Sequence, residues 1–243
     1  MSTGLKSLLA VLTALALAVP AAAQRSDDQA LVDAHMARWN AESLMLLGHL
    51  ADCVAAKHPE AADVFVRTGL DSTALERDQN RLVDLACVKK YWFRSSRTSV
   101  VPEIYRPLLG EALARLAHAS APVPDLAAVT QPVDNPRLPA VPLDEVHPFY
   151  RAMFTVDRHA GALAAYSECL ARAQPAAVLA LGATKLGSPE EAPALARLDA
   201  EATACGDRRP AVTFPSFLRR ADVLLQLYLL TRLAGSPVPQ RVS

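Results

Sequence analysis

A short pattern occurs twice in this chain. Cys53-Val-Ala-Ala-Lys-His-Pro59 is matched by Cys169-Leu-Ala-Arg-Ala-Gln-Pro175, with Pro six residues after Cys in each. Thr follows each cysteine by fifteen residues (Thr68, Thr184), and Leu by seventeen (Leu70, Leu186). The next cysteines, Cys87 and Cys205, stand 34 and 36 residues beyond the first of each pair. Each stretch closes on an apolar run with Arg near its start, Arg106 in 105–117 and Arg220 in 218–234, ending Ala-Arg-Leu-Ala and Thr-Arg-Leu-Ala. Such self-similarity predicts two tandem copies of one module that bury their apolar faces on each other.

Within each copy the apolar spacing is helical. Leu46, Leu47, Leu50, Cys53 and Val54 recur at three and four residues, as do Leu163, Tyr166, Cys169, Leu170 and Ala173. Pro59 and Pro175 follow, where a helix ends or bends. Ser72-Thr-Ala-Leu-Glu76 and Ser188-Pro-Glu-Glu191 read as helix starts, the second as a capping box with Pro189 at the first helical position. Asp27 or Asp28 is expected to cap the first mature helix, which runs toward His58. Strand-like alternation of useful length is missing, and only nine glycines are present. The expected fold is all-α: two tandem copies of a small disulfide-clipped helical bundle, arranged about a pseudo-two-fold.

Between the copies, residues 120–148 hold seven of the eighteen prolines. That density disfavours regular helix or sheet and favours extended chain. A structureless stretch this long inside one compact unit is uncommon, so a module boundary is expected there. The organisation read from the sequence is a signal peptide over 1–23, repeat 1 over 24–119, a Pro-rich linker over 120–146, repeat 2 over 147–235 and a tail over 236–243. The copies are expected to superpose helix for helix, with the linker belonging to neither.

The N-terminus has the layout of an export signal. Lys6 precedes a run of twelve residues over 8–19, apolar but for Thr13, Pro20 breaks the run, and Ala21-Ala22-Ala23 offers the small-x-small pattern cleaved before Gln24. Twelve residues of helix reach only about 18 Å, short of a ~30 Å hydrocarbon core. With no later run long enough to span, no transmembrane segment is expected in the mature chain. Removing Lys6 from 25 basic residues leaves 24 against 25 acidic. A near-neutral chain has no global field for nucleic acid, so no nucleic-acid partner is expected. Twenty Arg against five Lys suggest a GC-rich bacterial genome, and with the leader this points to the periplasm or beyond.

Four cysteines in an exported chain form an even set in an oxidising compartment. Of the three possible pairings, duplication selects Cys53–Cys87 and Cys169–Cys205, because a copy that once folded alone must bridge within itself. No Cys-x-x-Cys supports redox chemistry, and no close ligand spacing supports zinc.

Chemistry-bearing motifs are sparse. His147 follows Asp144 and Glu145, and His159 follows Asp157, without His-Glu-x-x-His spacing. A nucleophile elbow, a phosphate-cradling loop and a dinucleotide fingerprint are all missing, so no cofactor is implied. Glu42, Glu111 and Glu168 sit on predicted helices with no second carboxylate placed beside them. The densest cluster is Lys89-Lys90-Tyr91-Trp92-Phe93-Arg94-Ser95-Ser96-Arg97. Lys89, Lys90, Trp92, Arg94 and Arg97 are the candidate surface-binding residues, for a polyanion or lipid. The alternative is a helix end whose cations face water while Trp92 and Phe93 pack partly inward, and this is the expectation.

Cys-x5-Pro, a second Cys and an Arg-initiated apolar helix, given twice after a leader, resemble exported two-repeat helical proteins of GC-rich bacteria. In these the last helix is expected to read like Leu-Arg-Gly-x-x-Ala-Glu-Ala-Leu-Tyr. The first copy keeps Arg106, Glu111, Ala112 and Leu113 but has Ala114 where Tyr is expected. The second keeps Arg220, Leu227 and Tyr228 but has Leu225 where Glu is expected. The resemblance carries no activity. The functional expectation is a non-catalytic interaction or structural module of the cell envelope, with a protein partner. Two alternatives stand: a carrier of a small apolar ligand in a cleft between the repeats, and an enzyme with a site across them.

Overall fold

The computed structural model describes residues 21–69, 81–84, 86–87, 102–119, 121–136 and 141–240. Their regular structure is all helical: α1 (Ala21–Met36), α2 (Ala41–Lys57), α3 (Pro59–Thr68), α4 (Pro102–His118), α5 (Pro148–Ala173), α6 (Pro175–Ala183), α7 (Glu191–Glu201) and α8 (Ser216–Leu233). Short 3-10 turns lie at Leu126–Ala128 and Thr203–Arg208. No helix among the described residues is long and apolar enough to cross a membrane.

The two Cys-x5-Pro motifs make the same local break. α2 stops at His58 (φ −132°, ψ 51°) and α5 at Gln174 (φ −141°, ψ 57°). The amide of each capping residue still donates to the fourth residue back, His58 N to Val54 O at 2.8 Å and Gln174 N to Leu170 O at 2.9 Å. Pro then opens the next helix, where its missing N–H leaves no bond unmade. Each break thus folds a short helix, α3 or α6, back from a long one.

Both disulfides form as the duplication argument requires. Cys53 joins Cys87 with Cα atoms 5.7 Å apart, and Cys169 joins Cys205 at 5.8 Å. Each closes a loop of about 35 residues, which in the chain-entropy model stabilises by about 4 kcal/mol. The protein is therefore a disulfide-clipped helical bundle.

α4 and α8 are the central pair. α2 and α3 pack on α4; α5, α6 and α7 pack on α8; and α1 lies on α5. Residues 220–231 of α8 are all buried. That explains a sequence without a clear polar face: neighbours surround the helix on every side. The axes approach closely where α4 carries Gly110, whose missing Cβ would sit 2.9 Å from Leu225 Cα and 2.8 Å from its Cβ. A single apolar core runs through both halves, from Val32 and Leu50 to Leu230. The proline-rich stretch joins that core: Leu126 and Val133 are buried in it. Asn135 and Gln226 exchange hydrogen bonds, with Gln226 Nε2 donating at 2.9 Å. Pro136 covers Gly69, which ends α3 at φ +68°; a Cβ there would meet the proline ring at 2.6 Å.

Three local expectations are corrected. Asp27 and Asp28 do not cap a helix start, since α1 begins upstream at Ala21. The run toward His58 is two helices, broken at Asn40, whose Oδ1 accepts the Ser43 amide at 2.8 Å. A mid-run Asn is a favoured N-cap, and its side-chain bond competes with helix continuation. Finally, α7 starts at Glu191, beyond Ser188 and Pro189. Glu191 does reach back, but to the Gly187 amide at 2.8 Å.

Candidate functional site

The most concentrated buried charge lies where the halves meet. Arg220, the fifth residue of α8, is 1 % exposed. Its Nε and Nη2 donate to Glu111 Oε1 of α4 at 3.0 and 2.9 Å. Nη1 donates to Thr184 Oγ1 at 2.5 Å, and Nη2 also to Thr184 O at 2.8 Å and Gly182 O at 3.3 Å. Glu191 Oε2 stands 3.8 Å from Nη1. One guanidinium thus joins α4, the end of α6 and the start of α7. The three residues are almost wholly buried, so desolvation is offset only by this dense set of partners.

Around this core the charges continue outward. Arg115, one turn after Glu111, bonds Asp52 of α2 through Nη2, with its Nε 3.7 Å from Glu111 Oε1. A cavity of about 120 Å³ opens here, lined by Gly48 and Asp52 of α2, Glu111 and Arg115 of α4, Lys185 after α6, and Arg220. Burial pushes the Glu111 carboxyl above its ordinary range, and the Arg220 guanidinium opposes that rise. Glu111 Oε2 and Arg115 Nε are both buried without a hydrogen-bond partner among the described residues.

A second network ties α3 to α8. Asp63 accepts the Tyr228 hydroxyl at 2.8 Å, Arg232 Nε at 3.1 Å and Arg67 Nε at 2.9 Å. Burial and the Asp63 charge push the Tyr228 phenol far above its usual range. A third anchors α1 to α5: Asp28 accepts Arg158 Nη2 at 2.9 Å and pairs with His159 Nε2 at 2.8 Å. His159 is thereby engaged with Asp28, 131 residues away, rather than with its sequence neighbour Asp157. His147 is exposed ahead of α5, its ring edge-on to Tyr150.

Of the carboxylates singled out by sequence, Glu168 pairs with Arg172 at 2.8 Å and Glu42 is exposed in the first turn of α2. Glu111 is different. A second carboxylate does come to it, because Glu191 shares its arginine. Sequence reasoning read Glu191 and Asp28 only as helix-start residues and missed Asp63. The available signal was a charged residue set into an apolar stripe, as in Ala61-Ala62-Asp63-Val64-Phe65-Val66 and Leu108-Leu109-Gly110-Glu111-Ala112-Leu113. Such a residue is expected to find a buried partner. The surface candidates Lys89, Lys90, Trp92, Arg94 and Arg97, with Phe93, lie outside the described residues.

Comparison with protein-family models, with curated proteins and with solved structures gives no match. What the chain does must therefore be argued from its own geometry.

Proposed function

We propose that the chain is an exported, periplasmic or secreted protein that acts as a non-catalytic interaction or structural module of the cell envelope, built by duplication of one helical unit. The observation that carries this reading is where the interior charge goes. Arg220, Glu111 and Glu191 at the seam, and Asp63 with Tyr228 and Arg232, hold helices of the two halves together. Two disulfides support an oxidising compartment. The leader over 1–23 and cleavage after Ala23 would deliver the chain there. The matched breaks at His58 and Gln174 support a duplicated unit.

A carrier of apolar ligands draws less support. Cavities between helices of both halves include one of about 120 Å³, with Asp52, Glu111, Arg115, Lys185 and Arg220 among its lining residues, and one of about 70 Å³ lined by Ile104, Val156, Leu163 and Leu218 with Glu103 and Asp157. Sites for drug-sized molecules are mostly apolar and of roughly 300–1,000 Å³.

In vivo cross-linking of the exported protein, followed by mass spectrometry, tests the reading. The expected result is a reproducible envelope protein cross-linked through surface residues and displaced by excess purified protein. Recovery of a stoichiometric small apolar molecule instead would overturn it. Replacing Lys89, Lys90, Arg94 and Arg97 by Ala is expected to leave liposome and polyanion binding unchanged. A salt-sensitive loss with helicity intact would make that cluster the binding surface.

A further inference from the structure

The chain entering α8 gathers positive charge at one point. Arg209 follows the 3-10 turn that Cys205 ties to α5, and Arg219 is the fourth residue of α8. Both reach Asp199, near the end of α7. Arg219 Nη2 donates to its Oδ2 at 2.5 Å, and Arg209 Nη2 donates to its backbone carbonyl at 3.1 Å. Tyr166 of α5 donates its hydroxyl to Asp199 Oδ1 at 2.8 Å, and the Arg209 guanidinium lies 5.8 Å over the Tyr166 ring. Gln29 of α1 pins the same loop, accepting the Thr213 amide at 2.6 Å and donating to the Thr213 carbonyl at 3.0 Å. A cavity of about 180 Å³ is lined by these two arginines with Asp199, Tyr166, Thr213 and Phe214.

What this lining offers is one-sided. Both Asp199 side-chain oxygens already accept a hydrogen bond. Arg219 Nε and Nη1 have no hydrogen-bond partner among the described residues, and neither is closed to water. Arg209 is exposed, with one of its five N–H groups given to the Asp199 carbonyl. Two guanidinia against one carboxylate leave a positive charge in excess. A cation would be repelled, and an apolar molecule would strip water from N–H groups without replacing its bonds. An oxyanion answers both the charge and the donors. The arginines are already held by a carboxylate, a carbonyl and a ring, so they lose little freedom on binding. The volume is that of about six waters at ~30 Å³ each, room for a small oxyanion with part of its hydration.

We propose that this cavity is a binding site for a small tetrahedral oxyanion, phosphate or sulfate, held between Arg209 and Arg219 with the Thr213 hydroxyl as a further donor. This goes beyond the interaction reading and is independent of it, since no partner surface takes part.

The test is titration calorimetry on the oxidised full chain at constant ionic strength, with phosphate, sulfate, acetate and chloride as probes. Phosphate or sulfate is expected to bind. Acetate and chloride should bind at least about tenfold more weakly, because neither offers a third oxygen to bridge the two guanidinia and lost charge-assisted bonds cost at least that much. Arg209→Ala removes an exposed guanidinium and is expected to weaken binding at least about tenfold, with helicity and urea midpoint unchanged. Arg209→Lys keeps the charge but loses the planar fork, should also bind more weakly than the parent, and decides the matter should the alanine variant fail to fold. Arg208→Ala alters an exposed neighbour that does not line the cavity and should bind like the parent. Neither heat nor a rise in thermal midpoint from phosphate or sulfate at ~10 mM, a level that reveals Kd values in the mM range, would overturn the proposal. So would acetate or chloride binding as tightly, or either Arg209 variant binding like the parent. A loss in Arg208→Ala as large as in Arg209→Ala would also overturn it, leaving only general attraction to a basic surface.

Discussion

Arg106 and Arg220 stand at matching positions near the starts of α4 and α8, and each reaches back to a carbonyl of the short helix after a Cys-x5-Pro break. Arg106 Nε donates to Val66 O at 2.8 Å, and Arg220 Nη2 donates to Gly182 O at 3.3 Å. Val66 and Gly182 each lie thirteen residues past their cysteine. The inward contact is thus the same in both halves. The outward one is not. Five residues after Arg106 comes Glu111, which crosses to Arg220; five after Arg220 comes Leu225, which packs against Gly110. One helix presents charge to the seam, and the other presents an apolar side chain and a close backbone contact. Equivalent local geometry, then, does not imply equivalent energetics: what faces the partner helix decides how deeply the charge is buried.

The largest expected effect separates these two arginines. Arg220→Ala strands Glu111 and Glu191 in the interior and should cost about 3–5 kcal/mol, the range for breaking a buried ion pair. Arg106→Ala removes, among its contacts, a charge-assisted bond to the Val66 carbonyl and should cost less, about 1.5–3 kcal/mol. Urea denaturation measures both, and equal losses would break the comparison. Replacing the cluster together, with Arg220→Met, Glu111→Leu and Glu191→Leu, should recover most of the loss, because apolar groups of similar volume need no compensation.

The disulfides offer a comparison in which equality is expected. Their sequence separations are 34 and 36 residues, so loop entropy assigns each about 4 kcal/mol. Cys53→Ala with Cys87→Ala, and Cys169→Ala with Cys205→Ala, should therefore shift the urea midpoint alike. A clear inequality would show that one clip also supports its half in the native state.

Two glycines sharpen the packing side. Gly110→Ala drives a methyl into the Leu225 backbone and should destabilise by about 1–3 kcal/mol despite the better helix propensity. Gly182→Ala meets Leu224 Cδ2 at 3.0 Å, with Leu224 Cδ1 and Arg115 Cγ at ordinary contact distances of 3.5 and 3.6 Å, and these side chains can yield. Its thermal midpoint is expected to stay close to the parent's.

The smallest effect is titration in α1. His35 is buried, and neither ring nitrogen has a hydrogen-bond partner among the described residues. Burial, and secondarily Arg38, hold its imidazole below the ordinary 6.5. The folded state therefore favours the neutral ring. Stability is present above pH 6.5 and declines as pH falls below it, since the unfolded chain binds the proton first. His35→Leu should flatten that decline between pH 7.5 and 5, read from urea midpoints. A parent curve already flat there would show that His35 stays solvated.

Local chemistry made much of this fold legible in the chain. Pro is favoured at the first position of a helix and disfavoured in its interior, so Pro59 and Pro175 marked where α2 and α5 end. Cysteines at matching positions in the two Cys-x5-Pro stretches pointed to their own partners. The α4 and α8 runs were visible as the apolar stretches 105–117 and 218–234 that close the two matched segments. Tertiary structure decided the rest. That Glu111 meets Arg220 across 109 residues, that Asp28 holds His159 across 131, and that α1 settles on α5 all follow from which faces approach in space. Sequence spacing carries no record of that, because a charge in an apolar stripe states a need for a partner without saying where on the folded chain the partner lies.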